Sequence, residues 1–293
     1  GYNDMTAGQG QTYFVSLGYK VNDKHNLNFL ITGAPQWHDQ NYAKPLATVY
    51  TDATKETIKT PGYDLFGKKF NSNWGNLNGE KFNIRRNYYH KPVMNLNWDW
   101  KINETSNLST VVYASFGRGG GTGTEGGRFE YLNDGTIDLQ KIHDANVAAG
   151  AGSTVLRSSV NNHSWYGIVS NYQKKFSDNI TWNLGIDARS YNGEHFKQMA
   201  NNFGAQYFVD KYNVNTGDRN ISNTYSTNPW KALSKFAKDG QDRIGWDYSE
   251  TINYGGLFTQ FEYATDDFSA FFQGAISNQS HVRVDPYQYT PEN

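Results

Sequence analysis

The chain has 293 residues, of which 37% are hydrophobic and 19% charged, and its net charge of −1 gives no support to a nucleic-acid-binding protein. The mean hydropathy of −0.76 and the shortness of every apolar run exclude a membrane-spanning helix. The absence of Cys excludes a disulfide scaffold and a Cys-based zinc site.

Four β-hairpins are predicted in succession along the chain, each made of two alternating segments joined by a short polar turn. Asn, Asp and Ser in such turns bond their own backbone or tolerate a left-handed conformation. The turns are Asn22-Asp23-Lys24, Asn103-Glu104-Thr105, Ser177-Asp178-Asn179 and Thr265-Asp266-Asp267. The eight predicted strands are Gln11 to Val21, Asn26 to Thr32, Pro92 to Ile102, Asn107 to Phe116, Ser164 to Phe176, Ile180 to Ser190, Ile252 to Tyr263 and Phe268 to Ser277.

Long polar stretches separate successive hairpins: Gly33 to Lys91, Gly117 to His163 and Tyr191 to Thr251. Short helices are expected inside two of them, at Asp138 to Val147 and at Glu194 to Tyr207, where Phe196, Met199 and Phe203 would share one helix face. Short turns at one end and long loops at the other are typical of an outer-membrane β-barrel, with its turns in the periplasm and its loops outside the cell.

Residues of alternate parity form two different faces in the predicted strands, which is the strongest physical signal in the sequence. In Pro92 to Ile102, one face carries Met94, Leu96, Trp98, Trp100 and Ile102, and the other carries Asn95, Asn97, Asp99 and Lys101. The same separation occurs in Ile180 to Ser190, whereas the parity of Ser164 to Phe176 is ambiguous around Trp165, Tyr166, Ile168 and Val169. The apolar faces therefore predict contact with lipid.

The ends of the predicted faces also favour a barrel. Large apolar-face aromatics lie next to the short turns, as an aromatic girdle at the periplasmic interface would. They are Tyr19, Trp98, Trp100, Trp182, Tyr263 and Phe268. The charged residues Asp99, Lys101, Asp187 and Arg189 fall on the polar faces, where a hydrated or plugged lumen tolerates them better than the dry core of a soluble two-sheet sandwich, the alternative fold.

Several motifs that could suggest a phosphate or metal site are interpreted as ordinary loops and turns. The glycine-rich stretch Gly117 to Gly127 lacks the Lys-Ser/Thr end of a phosphate loop and is interpreted as a mobile loop. The histidines, among them His38, His90, His163 and His195, show no metal spacing and are expected to pack in loops. Asn133 to Thr136 lacks the full ligand pattern of a calcium loop and predicts a turn before a helix capped by Asp138. No metal site and no cofactor are expected.

Ligand-binding candidates are aromatic and basic residues of the long stretches, because rings stack on sugars and Arg reads carboxylates or phosphates. They are Trp37, His38, Trp74, Arg85, Arg86, Tyr88, Tyr89 and Trp230, with Asp99, Lys101, Asp187 and Arg189 expected to line the lumen. For each of these rings, the alternative interpretation is that it holds the long loops together and does not bind a ligand. No Ser, His and Asp grouping has a spacing that indicates catalysis, so the chain is not expected to be an enzyme.

Three stretches resemble the large TonB-dependent receptors of Bacteroidetes outer membranes, the SusC-like group: Phe29 to His38, Asn73 to Pro92 and Tyr113 to Gly123. The later half of the chain is similar only in its hairpin rhythm and its Tyr, Trp and Asn bias. The resemblance implies that residues 1–293 are an internal part of a barrel of about 22 strands. A plug domain and a TonB box, which no segment here resembles, are expected outside this chain together with the rest of the barrel.

The resemblance further implies an outer-membrane location and active import of a large nutrient: a glycan, a peptide, a siderophore or cobalamin. The TonB complex and outer-membrane lipid would be partners, and a SusD-like surface lipoprotein is a further possible partner. Two alternatives remain open from the residues alone. One is a complete small barrel with a structural or adhesive role, and the other is a soluble carbohydrate-binding β protein, which would leave the girdle unexplained.

Overall fold

The structure is a computed structural model that describes residues 2–41, 46–50, 57–238 and 240–290. Three short helices and eighteen strands occur in these ranges, and no helix in them is long and apolar enough to cross a membrane. The helices are α1 (Gly62–Phe66), α2 (Leu139–Ala149) and α3 (Pro229–Ala232). The strands are β1 (Gly8–Gly10), β2 (Tyr13–Lys20), β3 (His25–Gly33), β4 (Gln36–Asp39), β5 (Leu46–Tyr50), β6 (Thr57–Pro61), β7 (Trp74–Leu77), β8 (Glu80–Asn83), β9 (Arg86–His90), β10 (Val93–Asn103), β11 (Ser106–Gly126), β12 (Ala151–Gly152), β13 (Thr154–Ser177), β14 (Ile180–Asn201), β15 (Tyr207–Asp210), β16 (Arg219–Ile221), β17 (Arg243–Ala264) and β18 (Ser269–Val284).

One antiparallel sheet dominates the fold. Its lower part pairs neighbours in chain order as β2, β3, β10, β11, β13, β14, β17 and β18, which confirms the four predicted hairpins. Its upper part places β1, β4 and β9 beside β11. The register does not change between the two levels: Val93 pairs with Thr32, and four residues further along both strands Tyr89 pairs with Gln36. The sheet therefore consists of eight long strands, three of them interrupted.

The interruptions lie at one height and involve proline. Pro35 separates β3 from β4, and Pro92 separates β9 from β10. Proline has no N–H to donate to a ladder, so it is tolerated where pairing is already broken. The carbonyl of Pro35 still accepts the N–H of Gln11 at 3.0 Å, which keeps the neighbouring strands together across the break.

The predicted turns are confirmed, and side chains shape them as expected. The Asn22 Oδ1 accepts the N–H groups of Lys24 at 2.9 Å and His25 at 3.0 Å. In the second turn, the Asn103 Oδ1 accepts the N–H of Thr105 at 3.0 Å. These bonds replace ladder hydrogen bonds at the point where the chain reverses, so each hairpin register is set locally.

The two predicted faces are confirmed by the register. One face is apolar and carries Tyr13, Val15, Leu17, Tyr19, Leu27, Phe29, Ile31, Met94, Leu96, Trp98, Trp100, Leu108, Val112, Tyr166, Ile168, Tyr172, Trp182, Leu184, Ile186, Leu257, Phe261, Tyr263, Phe272 and Ile276. We call this side the outward face, its apolar portion the apolar band, and the opposite, polar side the inward face. The register also resolves the ambiguous strand, because Tyr166 and Ile168 lie outward while Trp165 and Val169 lie inward.

Aromatic rings at the turn end of the apolar band pack against one another. Trp98 and Trp100 stack at 5.8 Å between ring centroids, and His25 stacks on both. On the neighbouring hairpins, Trp182 stacks on Phe261 at 5.8 Å. This arrangement fits the predicted girdle, since amphipathic rings are favoured where lipid meets water.

Glycines on the inward face receive rings from adjacent strands. A Cβ on Gly185 would lie 2.0 Å from the Phe258 ring, and one on Gly167 would lie 2.2 Å from the Tyr113 ring. Each pair stands directly opposite in the register. The glycine is required because the ring occupies the space of a side chain, and the ring in turn covers the glycine backbone.

The upper parts of the central strands correct two predictions. The stretch Gly117 to Gly127 is not a mobile loop, because β11 runs through it to Gly126 and pairs with both β9 and β13. Its glycines permit close approach, since a Cβ on Gly119 would lie 2.2 Å from the Tyr88 carbonyl oxygen. The helix predicted over Glu194 to Tyr207 is also wrong, because β14 continues to Asn201. Phe196 and Met199 lie on opposite faces of this strand and both are buried, so their spacing of three residues imitates one face of a helix.

Other predictions within the long stretches are confirmed. The turn at 133–136 forms, with the Asp134 Oδ1 accepting the Thr136 N–H at 2.9 Å. Asp138 caps α2 through a bond from the Lys141 N–H at 3.0 Å, and Gly150 ends the helix in a left-handed conformation.

Chain from the long stretches covers both faces of the upper sheet. Residues 225–237, which we call the outer collar, pack on the outward face, where Ala237 joins Val160 and Phe196 in one apolar cluster. The Tyr225 N–H also donates to the Met199 carbonyl at 2.8 Å. The inward face is covered higher up by β15 and β16, whose Phe208 and Ile221 pack against inward residues of the long strands. The buried core therefore lies above the apolar band.

Candidate functional site

Adjacent strands bring polar side chains together on the inward face just above the apolar band. His163 on β13 faces Gly193 on β14, which faces Glu250 on β17, which faces Arg283 on β18. One step higher, the register places His195 beside Tyr248. We call this group the inner-wall cluster, and its members are His163, Tyr191, His195, Tyr248, Glu250, His281 and Arg283.

Glu250 lies at the centre of the inner-wall cluster. Its Oε1 is 2.9 Å from the His195 Nε2, and its Oε2 is 2.9 Å from the His281 Nε2. The contact with His281 has hydrogen-bond geometry, whereas the His195 Nε2 is within ion-pair distance but poorly aligned. The His195 Nδ1 lies 2.6 Å from the Asn161 Oδ1. Burial lowers the pKa of His195, and Glu250 opposes that shift by favouring the imidazolium.

His163 forms the second centre of the cluster. Its Nδ1 lies 2.7 Å from the Tyr191 hydroxyl. Burial, followed by the nearby positive charge of Lys91, lowers the pKa of His163 to about 4. This histidine is therefore neutral at neutral pH. It faces a cavity of about 350 Å³ lined also by Lys91, Trp165, Tyr191 and Glu250.

Aromatic and cationic groups complete the cluster. Tyr248 is covered on both sides, because its ring stacks on His195 at 4.8 Å and the Arg283 guanidinium lies 3.9 Å from its centroid. Trp165 and Tyr191 meet edge to face at 4.9 Å. Such a surface offers cationic donors, imidazoles and ring faces to a ligand. Over the described ranges, no three His, Asp or Glu side chains are grouped so as to hold a metal ion.

The predicted ligand candidates do not converge on this cluster, and several lie on the outward face. The Arg86 Nε bonds the Asp39 Oδ1 at 2.8 Å, and its guanidinium lies 3.8 Å over the Trp37 ring. Tyr88 is buried and bonded to the Ser158 hydroxyl at 2.8 Å. Trp230 belongs to the outer collar and stacks on Tyr13. These contacts hold the wall and its covering together.

The remaining loop candidates are dispersed. His38 is exposed on the inward face, and the neighbouring Tyr89 hydroxyl accepts from the Gln36 amide. Trp74 lies in the β7–β8 hairpin with the Lys81 ammonium 5.5 Å from its ring. The Arg85 guanidinium donates to the Thr122 carbonyl at 3.4 Å.

The four charged residues expected to line the lumen do lie on the inward face, but not as ion pairs with each other. The Asp99 Oδ1 accepts from the Ser109 hydroxyl at 2.7 Å, and Lys101 pairs with Glu104. The Arg189 guanidinium lies 4.5 Å over the Tyr254 ring, and one oxygen of Asp187 is buried with no hydrogen-bond partner in the described part of the chain. Residues two apart on a strand share a face, yet Asp99 and Arg189 reach across to neighbouring strands and Lys101 reaches the adjacent turn.

Sequence reasoning did not single out the inner-wall cluster. Its histidines come from three different strands and look scattered when only spacing along the chain is read. The available signal was parity: extending the inward series of β13 and β14 beyond the predicted strand ends would have reached His163 and His195. The prediction that the strands end at Ser164 and Ser190 hid that continuation.

Fold and site together define a class: a segment of β-barrel-type wall with an apolar outward face, a polar inward face and a covered upper extension. No protein-family model matches the chain, and no curated protein matches it.

Solved structures do match. The ferric citrate transporter FecA in its unliganded form is 10% identical with a TM-score of 0.51, over 97% of this chain and 32% of that chain. The ferric-catecholate import receptor Fiu of E. coli K12 is 9% identical in its closed form, with a TM-score of 0.43 over 96% of this chain and 42% of that chain. Its open form is 10% identical, with a TM-score of 0.41 over 99% of this chain and 46% of that chain. The likeness to FecA shows the fold, a TonB-dependent-receptor-like antiparallel sheet, and the chain spans about a third of that transporter.

Proposed function

We propose that this chain forms part of the barrel wall of a TonB-dependent outer-membrane transporter that imports a large nutrient. The two-faced sheet carries the proposal. An apolar band of side chains faces one way, and many of them are substantially exposed even on central strands, including Leu96, Val112 and Ile186 at 45%, 48% and 42%. Exposed apolar surface of this extent requires lipid or protein against it.

The edges of the sheet support a larger barrel. Among the described residues, β2 and β18 each pair on one side only. Unpaired N–H and C=O groups are not tolerated in hydrocarbon, so further strands must complete the wall. A soluble carbohydrate-binding protein leaves the exposed apolar band unexplained. A small closed barrel would require these two edges to pair.

The inner-wall cluster is the proposed place of nutrient contact. It faces inward, lies above the lipid level and presents Arg283 and the His163 cavity to the barrel interior. The nutrient is a glycan, a peptide, a siderophore or cobalamin, and the likeness to an iron transporter gives the siderophore first place in a screen. Transport, and not catalysis, is the proposed activity. TonB coupling and a SusD-like lipoprotein, as in the SusC-like group of Bacteroidetes, belong to the same proposal.

Uptake tests this proposal. A strain lacking the gene, complemented with the full-length protein, should regain uptake of one nutrient class from a panel of ferric siderophores, oligosaccharides, peptides and cobalamin. Collapse of the proton gradient should abolish the regained uptake. Tyr248→Ala should weaken it, because the change removes the ring between His195 and Arg283, whereas the outward Trp37→Phe should not. Uptake that survives loss of the gradient would refute energised import.

A further inference from the structure

The outer collar lies where the apolar band ends. Trp230, at the start of α3, stacks on Tyr13 with 6.0 Å between ring centroids and meets His90 edge to face at 4.7 Å. Its Nε1 donates to the Gln11 Oε1 at 2.9 Å. Tyr13 is the uppermost outward residue of β2, so the indole marks the upper boundary of the apolar band. About half of the Trp230 surface, 48%, remains exposed.

Basic side chains follow Trp230 directly. The Lys235 N–H donates to the Lys231 carbonyl at 2.8 Å, a helical spacing that puts the two side chains on the same side of the collar. Both lysines are exposed, and neither has a carboxylate within ion-pair distance among the described residues. The surface therefore carries positive charge beside an interfacial aromatic ring.

Hydrogen bonds and ring packing hold the outer collar against the wall. The Asn228 Oδ1 caps α3 through bonds from the N–H groups of Trp230 at 2.9 Å and Lys231 at 3.2 Å. Further along, the Ala237 N–H donates to the Gln198 Oε1 at 2.9 Å, and the Phe236 ring packs on Phe196. The two lysines are thus held on the outward side of the wall at the level of Trp230.

Among the residues that the structure describes, the acids around the collar do not neutralise this surface. Asp242 accepts from the Tyr225 hydroxyl at 2.6 Å and from the Asn223 amide. Asp247 pairs with Arg243 at 2.6 Å, and Asp39 pairs with Arg86. Each of these carboxylates is engaged by another partner.

We propose that the outer collar binds anionic, phosphate-bearing headgroups of the outer leaflet through Lys231 and Lys235, with Trp230 lying at the boundary between headgroups and acyl chains. The inference rests on the proposed membrane function. Lipid is the expected occupant of this surface, because the surface continues the apolar band and combines an interfacial ring with positive charge. The outer collar would fix the height of the wall in the membrane and select anionic lipid around the protein.

The test uses the full-length protein refolded into phosphatidylcholine vesicles with and without phosphatidylglycerol, and with lipid A in a third set. Co-purifying anionic lipid is counted by mass spectrometry for wild type, Lys231→Gln/Lys235→Gln and the control Lys68→Gln/Lys69→Gln. The control removes two exposed lysines from a segment near Asp4, far above the apolar band. Each surface lysine contributes roughly a five-fold preference for anionic lipid, so the double variant should lose roughly 10- to 25-fold and the control little.

A second readout locates the ring. Quenching of tryptophan fluorescence by lipids brominated near the headgroup should fall in Trp230→Phe relative to wild type, while lipids brominated deep in the chain should report no difference. Equal anionic-lipid retention by the two double variants, or no quenching difference for Trp230→Phe, would overturn the collar proposal. Failure of the wild type to insert into any vesicle would instead overturn the proposed membrane function.

Discussion

Leu184 and Asn183 are adjacent in β14 but face opposite environments. Leu184 is the third of five outward side chains from Ile180 to Ala188, and its neighbours across the sheet are Tyr172 and Thr259. Its side chain is 40% exposed to the outward side. We therefore expect Leu184→Arg to place a charge near the middle of the hydrocarbon layer.

The expected cost follows from that depth. Arginine on the lipid face of a barrel near the bilayer midplane destabilises by about 2–4 kcal/mol, which is roughly a thirty-fold to several-hundred-fold change in the folding equilibrium. Asn183→Arg places the same charge inward between Gln173 and Gln260. It loses weak contacts such as the 3.2 Å bond from the Asn171 amide, so the expected cost is about 1 kcal/mol or less.

Two measurements check this difference. The denaturation midpoint of the full-length protein in vesicles should fall much further for Leu184→Arg than for Asn183→Arg, and the folded yield in outer-membrane fractions should follow the same order. The two variants carry the same new side chain at neighbouring positions, so charge alone cannot separate them. Equal loss in both would refute the assignment of the outward face to lipid.

Three further predictions concern packing, topology and pH. Gly185→Val should destabilise the protein by about 1–3 kcal/mol, because its Cβ would meet the Phe258 ring. Gly255→Val is the control, because a Cβ there meets nothing within 4 Å. Equal denaturation midpoints for the two variants would contradict this prediction. In intact cells, an impermeant thiol reagent should label a Cys at the exposed Thr216 and spare one at Asp178 in a short turn, and the opposite pattern would invert the barrel. Stability should fall as the pH drops from about 6.5 to 4, because the unfolded chain gains a proton on His163 that the folded chain does not bind. His163→Gln should flatten this slope in denaturation midpoints taken across that range, and an unchanged slope would exclude His163 as the cause.

The lower sheet was predictable because its two faces carry chemically different side chains. Strand Pro92 to Ile102 alternates Trp98 with Asn97 and Asp99, and the register confirms that order. The turns were predictable for a local reason, since Asn22 and Asn103 bond the backbone within three residues of themselves. Neither inference needed knowledge of distant contacts.

The candidate site was not predictable in the same way. Trp37, Arg86 and Tyr88 have the chemistry of ligand-binding residues, yet each is occupied by another part of the wall. The identity of a side chain shows what it can bind, but only the register shows what it already contacts. Conversely, His195 gains significance only from Glu250, which lies 55 positions later in the sequence and beside it in the sheet.

The change of environment along each strand explains both outcomes. Below the proline interruptions, the outward face is apolar and the inward face is polar, as the proposed barrel wall requires, so parity separates apolar from polar residues. Above them, the outer collar covers the outward face and β15 with β16 covers the inward face, so apolar residues are required on both. Phe196 lies outward and Met199 inward on one strand, and both are fully buried. Loss of alternation therefore marks where both faces of the sheet become covered, and does not mark the end of a strand.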